Sequence, residues 1–128
     1  MPVTVSDARL SLRFSRSQRL RTMRDFAQVR NEGLRRAKGC LIVNWTLPPA
    51  GSLTRIGLIT SRKLGKAIVR TRARRLLREA YRLHQHDLRQ PANIVLIARS
   101  SIVGKKLADV ERDFLSVLRQ AKLLKTAL

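Results

Sequence analysis

The chain has 128 residues, the length of one compact domain. Hydrophobic residues make up 44%, enough to build a core, which excludes a wholly disordered basic tail. Lysine and arginine total 28 against 8 acidic residues, and a formal net charge of +20 calls for a polyanionic partner, nucleic acid first among them. An anionic membrane is the other candidate. A spanning helix needs roughly 20 apolar residues in a row, and the longest apolar runs, residues 40–43 and 94–98, are strand-sized. The N-terminus lacks the apolar stretch of a signal peptide. The expectation is a cytoplasmic protein with no membrane partner. Cys40 is the single cysteine, so neither an internal disulfide nor a zinc cluster is available. Its neighbours Leu41, Ile42 and Val43 make it a small core residue.

In chain order, residues 1–21 carry Arg9, Arg13, Arg16, Arg19 and Arg21 among few apolar residues and read as an extended basic arm. Residues 22–128 read as a single RNA-binding domain. Thr22 followed by Asp25 has the spacing of a helix N-cap, which predicts a helix over residues 23–31 ended by Gly33. Residues 40–47 alternate as a strand, with Leu41, Val43, Trp45 and Leu47 on an apolar face. Cys40, Ile42, Asn44 and Thr46 form a mixed face that could look onto a polar groove. Pro48, Pro49, Ala50 and Gly51 break the strand, and residues 54–60 return as its hairpin partner. A long helix follows over residues 66–86, then a strand over 93–99 and a last helix over 107–123. That last helix shows the stripe Leu107, Val110, Phe114, Leu118 and Ala121. Its acidic residues come early and its lysines late, as the helix dipole favours. The order helix, strands, helix, strand, helix describes a small α+β sandwich.

Residues 62–82 hold nine cations and one acid, Glu79. At about 100° per residue, Val69, Ala73, Leu76, Ala80, Leu83 and His84 gather on one side. Arg70, Arg74, Arg78 and Arg82 form an i, i+4 row on the other, widened by Arg72 and Arg75 around Thr71. Like charges at this spacing oppose the helix by a few tenths of a kcal/mol per pair. A purely structural helix would interleave glutamates. Arginine rather than lysine also suits forked binding of phosphate oxygens. Gly65 precedes the helix, but the GxxxxGK pattern of a nucleotide-binding loop is absent.

The stretch GLITSRKLGKAIVRTRARRLLREAYR at residues 57–82 closely resembles the signature of the bacterial ribonuclease P protein subunit. That pattern is a strand, Ser-x-Lys, Gly-x-Ala, Arg-Asn-Arg-x-(Lys/Arg)-Arg and Arg-Glu. Arg13-Phe14 with Arg19-Leu20, Asp25-Phe26 and Ile97-Ala98-Arg99 extend the resemblance over about residues 13–123. It implies a ribosomal-protein-like fold with a left-handed βαβ crossover. It implies an endoribonuclease whose catalytic centre, with its Mg2+ ions, lies in an RNA subunit that removes the 5′ leader of precursor tRNA. The protein's partners would be that RNA and precursor tRNA, not DNA. By residue match, Lys63, Lys66, Arg70, Thr71, Arg72, Arg74, Arg75, Arg78 and Arg82 would contact RNA, and Phe26, Arg30 and Asn44 would line a groove for the single-stranded leader. Three positions depart from the family. Thr71 stands for the usual Asn, and Arg30 and Asn44 stand where many members have aromatics. The implied groove would then grip through charge and hydrogen bonds more than through stacking.

No catalytic or metal constellation stands out in the chain itself. His84 and His86, two apart on a helix, point different ways. Asp109 and Asp113 are better placed to complement the helix dipole than to hold a metal. Tyr81 and Trp45 read as core residues. A ribosomal or other structured-RNA binder and a DNA-compacting protein are the rival readings.

Overall fold

A computed structural model describes residues 18–125. Most of the basic arm, including Arg13-Phe14, lies outside the described residues. Helix α1 (Met23–Glu32) opens with the expected capping box: Asp25 N–H donates to Thr22 Oγ1 at 3.1 Å, and Asp25 Oδ2 accepts from Thr22 N–H at 3.4 Å. Burial alone would raise the Asp25 pKa. The N–H bonds from Thr22 and Arg21, with Arg55 at 3.2 Å, outweigh it and hold the carboxyl below its usual range. Gly33 does end α1, but in extended conformation. A glycine is needed there because a Cβ would lie 2.3 Å from Val29 O and 2.5 Å from Trp45 O.

Strand β1 (Leu34–Lys38) follows, exposed along its whole length. A two-residue turn at Gly39 (φ 55°) and Cys40 leads into β2 (Leu41–Thr46). Next come β3 (Arg55–Ile59), a 3-10 turn (Arg62–Leu64) and α2 (Ala67–His84). Strand β4 (Asn93–Ala98), a second 3-10 turn (Ser100–Ile102) and α3 (Leu107–Gln120) complete the chain. Lys122 (φ 61°) closes α3, with Leu123 N–H donating to Leu118 O and Lys122 N–H to Arg119 O, a Schellman closure.

The sheet runs β1-β2-β4-β3. Strand β2 is antiparallel to β1 and β4, and β3 is parallel to β4. The expected hairpin between residues 40–47 and 54–60 does not form; the true hairpin is β1–β2, and β4 separates β2 from β3. The reason lies in β4, whose NIVLIA sequence is apolar on both faces and takes the centre. Its parallel neighbour β3 must reach it by a crossover, and α2 is that crossover.

Side chains alternate between two cores. On one face Leu41, Val43, Trp45, Ile56, Ile94 and Leu96 pack with Ala73, Leu77 and Tyr81 of α2 and Val110, Phe114 and Leu118 of α3. Leu47, read as part of this face, lies past the end of β2 and is 51% exposed. On the other face Leu20, Val29 and Val95 form a smaller core with Phe26, Ile59 and Ile97, covered by α1. Leu20 therefore belongs to the domain rather than the arm: its N–H donates to Ile56 O at 2.9 Å.

Asn44 is corrected from its expected place in a polar groove. It is 3% exposed, and its Nδ2 donates to Val29 O at 3.2 Å and Leu34 O at 2.7 Å. Helix α1 covers the mixed face of β2, so the amide ties α1 to β1. Cys40 is a buried thiol, pushed up to about 12 by burial and by Asp113, whose Oδ2 accepts from Cys40 N–H. His84 joins the end of α2 to α3. Its Nδ1 lies 2.7 Å from Asp87 Oδ2 and its Nε2 2.6 Å from Glu111 Oε2.

Burial of the His84 ring works against its charge, but the two carboxylates prevail and raise its pKa above the ordinary 6.5. Both ring nitrogens donate only in the imidazolium. The folded chain thus holds this proton more tightly than the unfolded one. The stabilisation is complete below 6.5 and is lost as pH rises through the folded-state value. Urea unfolding midpoints should fall between mildly acidic and mildly alkaline pH, and this part of the fall should vanish in His84→Gln. Asn44→Ala should lower stability by about 1–3 kcal/mol in the same assay, because two buried carbonyls lose a donor.

Candidate nucleic-acid interface

Helix α2 buries Ala73, Leu77, Ala80 and Tyr81. This face is rotated from the one expected from sequence. Val69, Leu76, Leu83 and His84 are only half-buried on its α3 flank, while Leu77 and Tyr81 point into the core. The rotation has a consequence for the arginines. Arg70 and Arg74 lie directly beside the core face, along the flank that meets β3. Arg74 Nη2 donates to Thr60 Oγ1 at 2.8 Å. Arg70 and Arg78 are half-buried, and Nε of each is buried without a hydrogen-bond partner.

Burial pushes the Arg78 pKa down, and the charges of Arg19, Arg74 and Arg75 push it further. A desolvated cation among like charges is unfavourable unless an anion is brought to it. Thr71, Arg72 and Arg75 are exposed at the crest of the helix. Arg72 Nη2 donates to Lys105 O at 2.7 Å on the α3 flank. Arg82 is tied to Glu79 by two bonds, one of them Nε–Oε2 at 3.0 Å, so its charge is partly neutralised. Lys63 and Lys66 are exposed at the turn before α2. Lys66 occupies the N-cap without a side-chain cap, and the first turn carries no acid. That charge placement opposes the helix dipole and leaves the helix start favourable to an anion.

Beside this row lies a groove of about 320 Å³ between α1 and β3, walled by Met23, Phe26, Ala27, Arg30, Leu58 and Ile59. It adjoins a smaller recess in which Phe26 meets Arg19, Gly57 and Arg78. The Phe26 ring lies on the bare backbone of Gly57, where a Cβ would come within 2.4 Å of its Cε1. One ring face is thereby fixed. Of the three groove residues read from sequence, Phe26 and Arg30 come together and Asn44 does not, because α1 covers it. Sequence reasoning overlooked Met23, Gly57 and Leu58. Only Gly57 carried a signal, since a glycine inside a strand often marks close approach of another group.

The described residues include no helix long and apolar enough to cross a membrane and no cluster of His, Cys, Asp or Glu able to hold a metal ion.

The chain matches the Ribonuclease P family over residues 14–122. It is 36% identical to the ribonuclease P protein component of Symbiobacterium thermophilum over 109 residues, 85% of this chain and 95% of that one. The protein component of Alkaliphilus oremlandii is 32% identical over 109 residues, with the same coverage. Among solved structures, the RNase P protein from Thermotoga maritima superposes with a TM-score of 0.70 at 27% identity, covering 80% of this chain and 96% of that one. An arginine-faced helix beside an apolar groove, on a fold and a sequence shared with these proteins, makes the chain a member of the ribonuclease P protein family.

Proposed function

We propose that the chain is the protein subunit of ribonuclease P, that α2 docks on the catalytic RNA subunit, and that the α1–β3 groove receives the single-stranded 5′ leader of precursor tRNA. The observation that carries this reading is the continuity of the two surfaces. Arg78 borders the Phe26 recess and also belongs to the arginine row, so one RNA surface can pass into the other without crossing an apolar or acidic barrier. Arg70, Arg74, Arg75 and Arg78 supply forked phosphate contacts, with Thr71, Arg72, Lys63 and Lys66 around them and Arg82 contributing from its pair with Glu79. Thr71 offers a hydroxyl where an amide would make two bonds.

In the groove, Phe26 presents its free ring face to a base and Arg30 reaches the backbone phosphate. A flexible leader needs no sequence readout there, because every base has a stacking face. The protein therefore acts by binding and orienting the substrate. Asp25, Glu79, Asp87, Asp109 and Glu111 are engaged in caps or ion pairs within the fold, and Asp113 accepts from the Cys40 backbone. Membership of the ribonuclease P protein family supports assigning cleavage and its Mg2+ ions to the RNA subunit, in the cytoplasm where precursor tRNA is made.

The decisive experiment is reconstitution. Added to the folded RNA subunit at low magnesium, the protein should restore cleavage of precursor tRNA; no stimulation of an intact RNA would overturn the reading. With about six phosphates on the α2 face, log affinity for that RNA should fall against log salt with slope roughly −4 to −5. Replacing Arg70, Arg74 and Arg78 together with Ala should flatten the slope by about 2–3. Phe26→Ala should weaken binding of leader-bearing substrate by about 1–3 kcal/mol and leave leaderless tRNA unaffected. Arg30→Ala should instead reduce the salt slope of leader binding by about one.

A further inference from the structure

Neither the arginine row nor the groove accounts for Ile68. It lies on the first turn of α2 and is 83% exposed, an isoleucine standing between the cations Arg72 and Arg75. Across from it Val103, 49% exposed, follows the second 3-10 turn. Together with Val69, Ile102 and Gly104 they wall a cleft of about 250 Å³, and Arg72 closes one end. The bond from Arg72 Nη2 to Lys105 O fixes the guanidinium at that end while using one of its five donors. Lys105, whose carbonyl takes that bond, and Lys106 after it are exposed.

We propose that this cleft takes one unstacked nucleobase of the catalytic RNA subunit, held between the Ile68 and Val103 side chains with an acceptor edge toward Arg72. The inference rests on the reading that α2 docks on that RNA. The charge of the rim selects the occupant. A protein segment covering Ile68 would have to desolvate Arg72, Arg75, Lys105 and Lys106 together, whereas a nucleotide brings its own phosphate to them. Size agrees: the cleft lies below the roughly 300–1,000 Å³ of pockets for larger ligands and suits a single planar base. Its position separates it from the substrate. The cleft opens on the α3 flank of α2 and the leader groove on the β3 flank, with the crest of the helix between them. A leader lying along α1 and β3 is directed away from it, so the base belongs to the RNA subunit.

The test measures binding of the full-length protein to the RNA subunit alone, across a salt series, with base-specific chemical probing of the RNA. Ile68 is exposed, so Ile68→Ala should leave the unfolding curve unchanged. It should weaken binding roughly tenfold, the scale of losing the burial of one aliphatic side chain. The salt slope should stay as in wild type, because no phosphate contact is removed. One or two bases protected by wild type should regain reactivity with Ile68→Ala and with Val103→Ser. Leu53→Ala, at another exposed apolar residue elsewhere, should change neither affinity nor protection. The extra affinity conferred by a leader should be the same for Ile68→Ala and wild type. Unchanged affinity, a flattened slope, or base protection insensitive to both substitutions would overturn the proposal. So would an Ile68-dependent dimer of the free protein in sedimentation. Failure of the wild-type protein to bind the RNA subunit at all would overturn the docking reading as well, and that outcome is distinct from a wild-type complex indifferent to Ile68.

Discussion

The structure depends on how firmly α2 is anchored by Leu77 and Tyr81. Both side chains are essentially inaccessible to solvent, and both lie next to the Arg70–Arg74 row. An isolated helix with like charges at i, i+4 would be weakened by each pair. Here the burial of one leucine and one tyrosine, each worth a few kcal/mol on the scale of core side chains, exceeds that repulsion several-fold. The core can therefore hold the charges of Arg70, Arg74 and Arg78 in place, while the one glutamate of α2 pairs with Arg82. Burial also sets the direction of that face. Because the buried stripe includes Leu77 and Tyr81, the arginine row is turned toward β3 and the Phe26 recess instead of straight into solvent.

The sheet order serves the same end. Placing β4 at the centre leaves β3 at an edge, and α1 and α2 meet it from opposite faces of the sheet. That edge is where a stacking residue of α1 and the arginines of α2 can come together. Leu20 occupies part of the edge through its bond to Ile56, and Arg55 ties β3 to the capping acid of α1. The opposite edge, β1, is lined with Arg35, Arg36 and Lys38, charges that discourage pairing with another chain.

The sequence made the helices legible to within a few residues, because each carries a strong period or a cap: Thr22 with Asp25 for α1, the Val110–Phe114–Leu118 stripe for α3. It also made the cationic composition of α2 and the family motif legible. It concealed β1, which is exposed throughout and so shows no alternation, although Gly39-Cys40 is a fitting hairpin turn. It misplaced the hairpin because residues 40–47 and 54–60 are adjacent in sequence, whereas the choice of a central strand depends on apolarity on both faces of β4. The α2 face was read about half a side chain off, since Leu76 and Leu77 are equally apolar and only packing against the sheet decides between them. Asn44 was misread for a related reason. A polar residue on a strand suggests solvent, but this one answers the backbone carbonyls of Val29 and Leu34.

The use of arginine where α2 borders the core follows from burial. The exposed turn mixes Arg62 with Lys63 and Lys66, while apart from His84 every cation within α2 is an arginine. At Arg70 and Arg78 the side chain runs beside the core with Nε buried, and at Arg78 three like charges act on the same group. A lysine in that position would respond by shedding its proton, because an ammonium shifts its pKa readily when desolvated. A guanidinium does not deprotonate in proteins, and its charge is spread over a plane whose far edge still reaches outward. Arginine is thus the side chain that can line the boundary between core and solvent and remain a cation with no partner inside the protein. What balances that charge has to come from outside, and the groove beside it admits a strand carrying one phosphate for every base.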